Sequence, residues 1–238
     1  MKGSHLLVLA GGFGTRLRSV VAEVPKPLAP IGDRPFLHHL MGAWASQGVA
    51  RMTFLLHHQA PLIESFLASP ESLRVLEGRP AATLTEPRPM GTGGAIAYAV
   101  RELGLSGSFL VTNADTWLGT GALPVSAEPA PAMAVVKVEN TERYGQVRIE
   151  GGKVIGFAEK QDTAGPGWIN AGMYHLQADL FRAWDGEPFS VERKLFPALA
   201  ASGRLAAVPL ETEFIDIGIP EDYFRFARWI ESGKGARL

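Results

Sequence analysis

Between residues 6 and 16 an apolar run stops at three glycines: Leu6 to Ala10, then Gly11, Gly12 and Gly14, with Arg16 close behind. Few features restrict a fold as strongly. Such a run reads as a buried strand that empties into a loop with little side-chain bulk, where backbone N–H groups can close around an anion. Further on, Lys26 stands between Pro25 and Pro27 and adds a second fixed positive charge. The loop suits a polyphosphate. A dinucleotide fingerprint would need glycine where Leu17 stands, and a Walker loop would need Gly-Lys-Ser/Thr; neither is present.

The rest of the first half alternates strand and helix patterns. Strands are predicted at 6–9, 52–57, 82–85 and 108–112, with a further candidate at 72–76. Helices are predicted at 35–47, 61–67 and 92–103, the first and last closed by Gly48 and Gly104. That alternation predicts an α/β fold with a mostly parallel central sheet and helices on both faces. After about residue 120 the pattern changes. Residues 124–131 read as a loop rich in proline and alanine. Strands at 133–138, 145–149 and 154–157 follow with tight glycine turns, which predicts a smaller antiparallel part, and 168–176 reads as one more strand. A helix at 191–201, strands at 205–209 and 213–217, and a last helix from Pro220 to residue 230 complete the chain. Ligands of open α/β sheets bind beyond the C-terminal ends of the strands, and Asp115 and Asp216 both stand there.

Composition excludes several classes. A formal net charge of −1 over 238 residues gives no bulk attraction to nucleic acid or to an anionic membrane, so any phosphate affinity must be local. The absence of cysteine excludes disulfides and thiolate metal sites. No stretch approaches the ~20 apolar residues of a membrane helix, so a cytoplasmic protein is expected.

Gly11-Gly12-Phe13-Gly14-Thr15-Arg16-Leu17 with Pro25-Lys26-Pro27-Leu28 resembles the signature of the sugar-1-phosphate nucleotidyltransferases. The spacer Arg18-Ser19-Val20-Val21, residues 25–31 and the run 214–223 resemble one branch in particular, the D-glycero-α-D-manno-heptose 1-phosphate guanylyltransferases. The resemblance implies a single Rossmann-like domain over 1–238, with a nucleotide-binding half at 1–123 and a sugar-phosphate half at 124–238. It implies transfer of a nucleotidyl group from GTP to the heptose 1-phosphate with release of pyrophosphate, and a product that feeds a capsule or other surface polysaccharide. A hexose or N-acetylhexosamine 1-phosphate uridylyl- or thymidylyltransferase is the alternative. A nucleotide-sugar-sensing relative without catalysis is another, though Arg16, Lys26, Asp115 and Asp216 all survive here. A homo-oligomer is compatible with the sequence.

The same resemblance assigns residues. Arg16, Lys26 and Asp115 are expected to be catalytic, the arginine on the β- and γ-phosphates and the lysine near the α-phosphate. A planar fork suits several oxygens and a point charge suits one. Asp115 and Asp216 are expected to hold Mg²⁺ together with phosphate oxygens, as this hard ion prefers; by position alone each could be a loop cap. Most relatives have glycine where Ala114 sits, so ordinary dihedrals are expected at that position. Nucleotide contacts are expected from Leu9, Ala10, Gly11, Gly12, Gly14, Thr15, Glu86 and Asn113. Thr92, Gly93 and Gly94, opening a helix, are expected at the base and ribose. The sugar phosphate is assigned to Tyr144, Gly145, Glu159, Lys160, Asn170 and Gly172. Asn-Ala-Gly is poor strand material, so a structural motive alone explains it badly. Arg18 reads as a surface charge. His38, His39, His57 and His58, with Trp117 and Trp168, read as packing residues rather than ligands.

Overall fold

The apolar run ahead of the glycine loop is strand β1 (Ser4–Leu9), with Leu6, Leu7 and Val8 wholly buried. In this computed structural model residues 4–17, 19–158 and 165–233 are described. After β1 come β2 (Pro30–Ile31), β3 (Arg34–Pro35), α1 (Phe36–Ser46), β4 (Val49–Leu56), α2 (Ala60–Leu67), α3 (Pro70–Leu76) and β5 (Ala81–Thr85). Next are α4 (Gly91–Glu102), β6 (Ser108–Asn113), β7 (Thr116–Leu118), α5 (Ala122–Ala127), β8 (Ala132–Val138), β9 (Gln146–Glu150) and β10 (Lys153–Ala158). The last are β11 (Gly167–Gln177), α6 (Phe196–Ala201), β12 (Ala206–Leu210), β13 (Phe214–Asp216) and α7 (Pro220–Glu231).

The chain forms two compact units. One takes Met1–Arg88, Asn113–Gly119 and Glu213–Leu238, so far as these are described; the other takes Pro89–Thr112 and Thr120–Thr212. The units interleave along the sequence and do not part at residue 123 as the motif order suggests.

In the first unit β1 pairs parallel with β4, and β4 with β5. Unbroken burial from Leu6 to Val8 in β1 and from Met52 to Leu56 in β4 is the mark of parallel strands covered on both faces. The buried Phe226 of α7 meets Phe36 of α1 edge-on at 4.8 Å and Trp117 of β7 at 5.3 Å, tying three distant stretches into one core. Antiparallel pairing of β7 with β13 sets Asp216 opposite Thr116. That register brings the Asp216 backbone opposite the residue after Asp115.

In the second unit β11 runs antiparallel to β6 and β8, β12 runs parallel to β8, and β10 runs antiparallel to β12 and β9. The α/β class with a parallel and an antiparallel part is therefore as expected. The antiparallel share is larger, because β11 runs against both of its long neighbours.

Three local expectations change. Residues 72–76 lie in helix α3, not a strand: Ser69 caps it by accepting the Ser72 N–H at 3.2 Å, and Pro70 suits its first turn. Part of the expected loop at 124–131 is helix α5, which admits Pro124 because the N–H groups of a first turn have no intrahelical partner. The helix expected at 191–201 starts as a π-type turn, Val191–Leu195, and becomes α-helical only at Phe196. Pro197 has no N–H to close the bond back to Arg193, so the ladder widens there.

Candidate active site

The glycine loop leaves β1 and turns into a short 3₁₀ segment, Thr15–Leu17, anchored by buried Leu17. Beside it lies a cavity of about 180 Å³ within the first unit. Gly12, Gly14, Thr15 and Arg16 line it from the loop, Leu9 and Ala10 from the end of β1, and Lys26 and Asp115 from elsewhere in the unit. Among the described residues Arg16 forms no ion pair, and it is exposed. Gly11 lies on the other side of the loop, where an added Cβ would come within 3.2 Å of the carboxylate of buried Glu86. Asn113 is half-buried at the end of β6 and is not among the lining residues.

The chemistry concentrates at Lys26. Its ammonium donates to Asp115 Oδ2 at 2.8 Å and to Asp216 Oδ1 at 3.3 Å, and the lysine side chain is only 9% exposed. Each carboxylate is also braced. Thr116 Oγ1 donates to Asp115 Oδ1 at 3.1 Å, and the Gly218 N–H donates to Asp216 Oδ1 at 2.8 Å. Gly218 leaves room for the pair: a Cβ there would lie 2.8 Å from Asp216 Oδ1 and 3.1 Å from Lys26 Nζ, so both side-chain ends would have to shift. Ala114 donates its N–H to the Leu9 carbonyl at 3.1 Å, which fixes Asp115 beside the end of β1. Its φ is not positive, as its alanine side chain requires.

One cation, the lysine's own, therefore already touches both carboxylates. Among the described residues no group of three or more His, Cys, Asp or Glu is placed to hold a metal. A pair of hard carboxylates within reach of one positive charge nevertheless fits an ion such as Mg²⁺, which takes one or two protein carboxylates and fills its shell with water and phosphate oxygens.

The second unit holds the remaining expected residues. Thr92, Gly93 and Gly94 open α4, yet the close approach that requires glycine at 93 is made by the chain itself: a Cβ there would sit 2.1 Å from the Phe189 ring. The Gly93 and Gly94 N–H groups both donate to the Phe189 carbonyl, at 2.9 and 3.3 Å. Thr92 Oγ1 donates to Glu192 and accepts from the Val191 N–H. These three residues hold the 189–192 segment, a role that the sequence did not show.

Asn170 interrupts the register of β11, as its poor strand propensity foretold. Its Oδ1 accepts the Gly172 N–H at 2.9 Å and its Nδ2 donates to Tyr174 Oη at 2.8 Å. Gly145 and Asn170 line a cavity of about 1070 Å³ within this unit, and Tyr144 immediately precedes it in sequence. Arg148, Glu192 and Arg193 also line that cavity. Sequence reasoning missed them, since Glu192 and Arg193 look like ordinary solvated charges on a helix. Glu159, Lys160 and Arg18 lie outside the described residues.

The histidines are engaged in packing and pairing. His38 Nδ1 lies 3.0 Å from Glu71 Oε1 and its Nε2 lies 2.7 Å from Arg34; burial first, then the Arg34 charge, holds its pKa below the usual value. His39 lies edge-on to Phe226, and His58 lies against Phe13. Trp117 is buried against Phe226 and Trp229, and Trp168 is half-buried in β11.

Comparison with known proteins shows the family. The sequence profile of the family described as nucleotidyl transferase matches residues 5–233. The D-glycero-alpha-D-manno-heptose 1-phosphate guanylyltransferase of Campylobacter jejuni is 32% identical over 223 residues, covering 92% of this chain and 97% of that protein. The probable mannose-1-phosphate guanylyltransferase 1 of Oryza sativa is 33% identical over 226 residues, 91% of this chain, but the chain spans only 62% of that protein's length. Among solved structures, HddC from Yersinia pseudotuberculosis superposes with a TM-score of 0.83 at 32% identity, over 95% of this chain and 99% of that one. A second crystal structure of HddC is complexed with GMP-PN.

Proposed function

We propose that this chain, which belongs to the nucleotidyl transferase family, transfers GMP from GTP to D-glycero-α-D-manno-heptose 1-phosphate, giving GDP-heptose and pyrophosphate. The observation that carries the reading is Lys26, held by Asp115 and Asp216 in the wall of the glycine-loop cavity beside Arg16. Guanine as the base is supported by the guanylyltransferase relatives and by the GMP-PN complex of HddC. Heptose is supported by the near full-length match to a heptose guanylyltransferase. Mannose 1-phosphate is the second reading, favoured by the 33% identity to the rice protein.

The reaction is an in-line attack by an oxygen of the acceptor phosphate on the α-phosphorus of GTP. A new O–P bond forms, the bond to the β-phosphate oxygen breaks, and pyrophosphate leaves. No residue needs to remove a proton, because a phosphate monoester is largely dianionic at neutral pH, its second pKa being about 6. The loop from Ala10 to Thr15 offers backbone donors to the triphosphate, and Arg16 offers its guanidinium fork to the β- and γ-phosphates. Lys26 places one ammonium near the α-phosphate, where negative charge builds in the transition state. Asp115 and Asp216 would hold Mg²⁺, which supplies positive charge against the phosphate oxygens when bound. Glu86 and Asn113 are assigned to the nucleotide. Tyr144, Gly145, Asn170 and Gly172, with Glu159 and Lys160, are assigned to the acceptor. GTP as donor implies work in the cytoplasm, and a surface polysaccharide such as a capsule would consume the product.

The test is pyrophosphate release with GTP, ATP, CTP, UTP and dTTP, each against heptose, mannose and glucose 1-phosphates. GTP with the heptose 1-phosphate should give the highest kcat/KM. A guanine-fitted site leaves buried groups unpaired with a pyrimidine, and discrimination of that origin reaches about 10⁴. Preference for UTP or dTTP would overturn guanylyl transfer, and preference for mannose 1-phosphate would move the acceptor to the second reading.

A further inference from the structure

Glu192 begins the second residue of the π-type turn Val191–Leu195, a backbone form that recurs at functional sites. One of its carboxylate oxygens is fixed from two directions. Oε2 accepts the Thr92 hydroxyl at 2.7 Å and the Ser190 hydroxyl as well, while Thr92 Oγ1 accepts the Val191 N–H at 3.0 Å. Among the described residues no group donates to Oε1. Glu192 is half-buried and stands in the wall of the second unit's cavity with Asn170, Arg148 and Arg193. A space lined by two guanidiniums, an amide and a carboxylate takes a ligand that carries both negative charge and many hydroxyls.

We infer that Glu192 is a specificity-determining residue for the acceptor: its carboxylate, locked by Thr92 and Ser190, accepts hydrogen bonds from neighbouring hydroxyls of the sugar ring. The inference rests on the function proposed above. It follows from the inequality of the two oxygens. With Oε2 saturated and the side chain held, the other oxygen is an acceptor of fixed direction. Neighbouring hydroxyls meet such an acceptor in one ring configuration and miss it in the epimer, which leaves a charged group unpaired. Thr92 acts here as a positioning residue. It also explains why a threonine stands between the glycines that receive Phe189.

The test compares the wild type with Glu192→Gln, Glu192→Ala and the double variant T92V/S190A, using GTP with mannose 1-phosphate, its epimer glucose 1-phosphate and the heptose 1-phosphate. Glu192→Gln should raise the KM of the preferred sugar phosphate roughly tenfold and Glu192→Ala up to about a hundredfold, the usual worth of hydrogen bonds to a charge. The KM for GTP should stay within about twofold of wild type in both. The preference between mannose and glucose 1-phosphates should shrink in both variants. It should shrink also in T92V/S190A, which keeps the carboxylate and releases it; this arm decides the matter if Glu192→Ala does not fold. An active wild type whose sugar KM and epimer preference survive in Glu192→Gln and in T92V/S190A would overturn this inference alone. A wild type that releases pyrophosphate with no sugar 1-phosphate would overturn the function proposed above and this inference with it.

Discussion

The ammonium of Lys26 lies 2.8 Å from Oδ2 of Asp115 and nearly out of solvent. Lysine and carboxylate belong to stretches far apart in sequence, and Asp216 completes the group from a third. Replacing Lys26 with Met leaves the two carboxylates without the charge they share. The aspartates are partly solvated, at 39% and 23% side-chain exposure, so the loss falls between that of a surface pair and a buried one, about 1–3 kcal/mol. Thermal unfolding checks this. Added Mg²⁺ should recover more stability in Lys26→Met than in wild type, and equal recovery in both would contradict a shared cation position.

Asp115→Asn and Asp216→Asn keep shape and remove charge. Each should lower kcat by roughly 10²–10³, the scale of losing one fixed electrostatic group at the reacting phosphorus, while the protein stays folded with a smaller stability loss than Lys26→Met, since the lysine keeps its other carboxylate. Near-normal Mg²⁺-dependent turnover in either variant would remove that aspartate from the site.

Gly93→Ala tests the cradle for Phe189. A Cβ at 93 would overlap the ring, so either the 189–192 segment moves or stability falls by about 1–3 kcal/mol. Combining it with Phe189→Ala should restore part of the loss, a coupling of about 1 kcal/mol in a double-mutant cycle. Strictly additive effects would mean that the two residues do not meet in solution.

Acid sensitivity follows from His5. Its Nε2 lies 2.9 Å from Thr53 Oγ1, and burial, helped by the Arg51 charge, holds its pKa down at about 4 against the usual 6.5. Between those values the unfolded chain binds a proton that the folded chain does not. The contribution is therefore complete above pH 6.5 and is lost as pH falls toward 4. His38 and His39, also held below their usual value by burial, act in the same direction. The melting temperature should fall between pH 7 and pH 4.5, and His5→Gln should flatten that slope. An unchanged slope would show that His5 is not buried as a neutral ring.

The glycine loop, Asp115 and the break at Asn170 were legible in the sequence because each violates a local preference that only a ligand or an odd backbone explains. Three kinds of feature were not. Helix α3 was hidden because Ser72 to Leu76 alternates like a strand, and the deciding signal was the Ser69-Pro70 cap just outside it. The antiparallel course of β11 depends on which strands meet, which no single segment encodes. The partners of Thr92 and Gly93 lie about a hundred residues away at Phe189 and Glu192, a pairing that no local pattern at a helix start encodes. Glu192 itself, in the run Ser-Val-Glu-Arg-Lys, carries no sequence mark that separates it from a surface charge.

The first unit closes only when Glu213–Leu238 joins the two stretches that precede it. A ribosome releases Lys26 first, Asp115 some ninety residues later and Asp216 about a hundred after that. Until then the lysine has one carboxylate at most, and the strand that carries the second, β13, has not met β7. The three-charge group centred on Lys26 is therefore assembled only after residue 216 has been made, however early the glycine loop and β1 are in place.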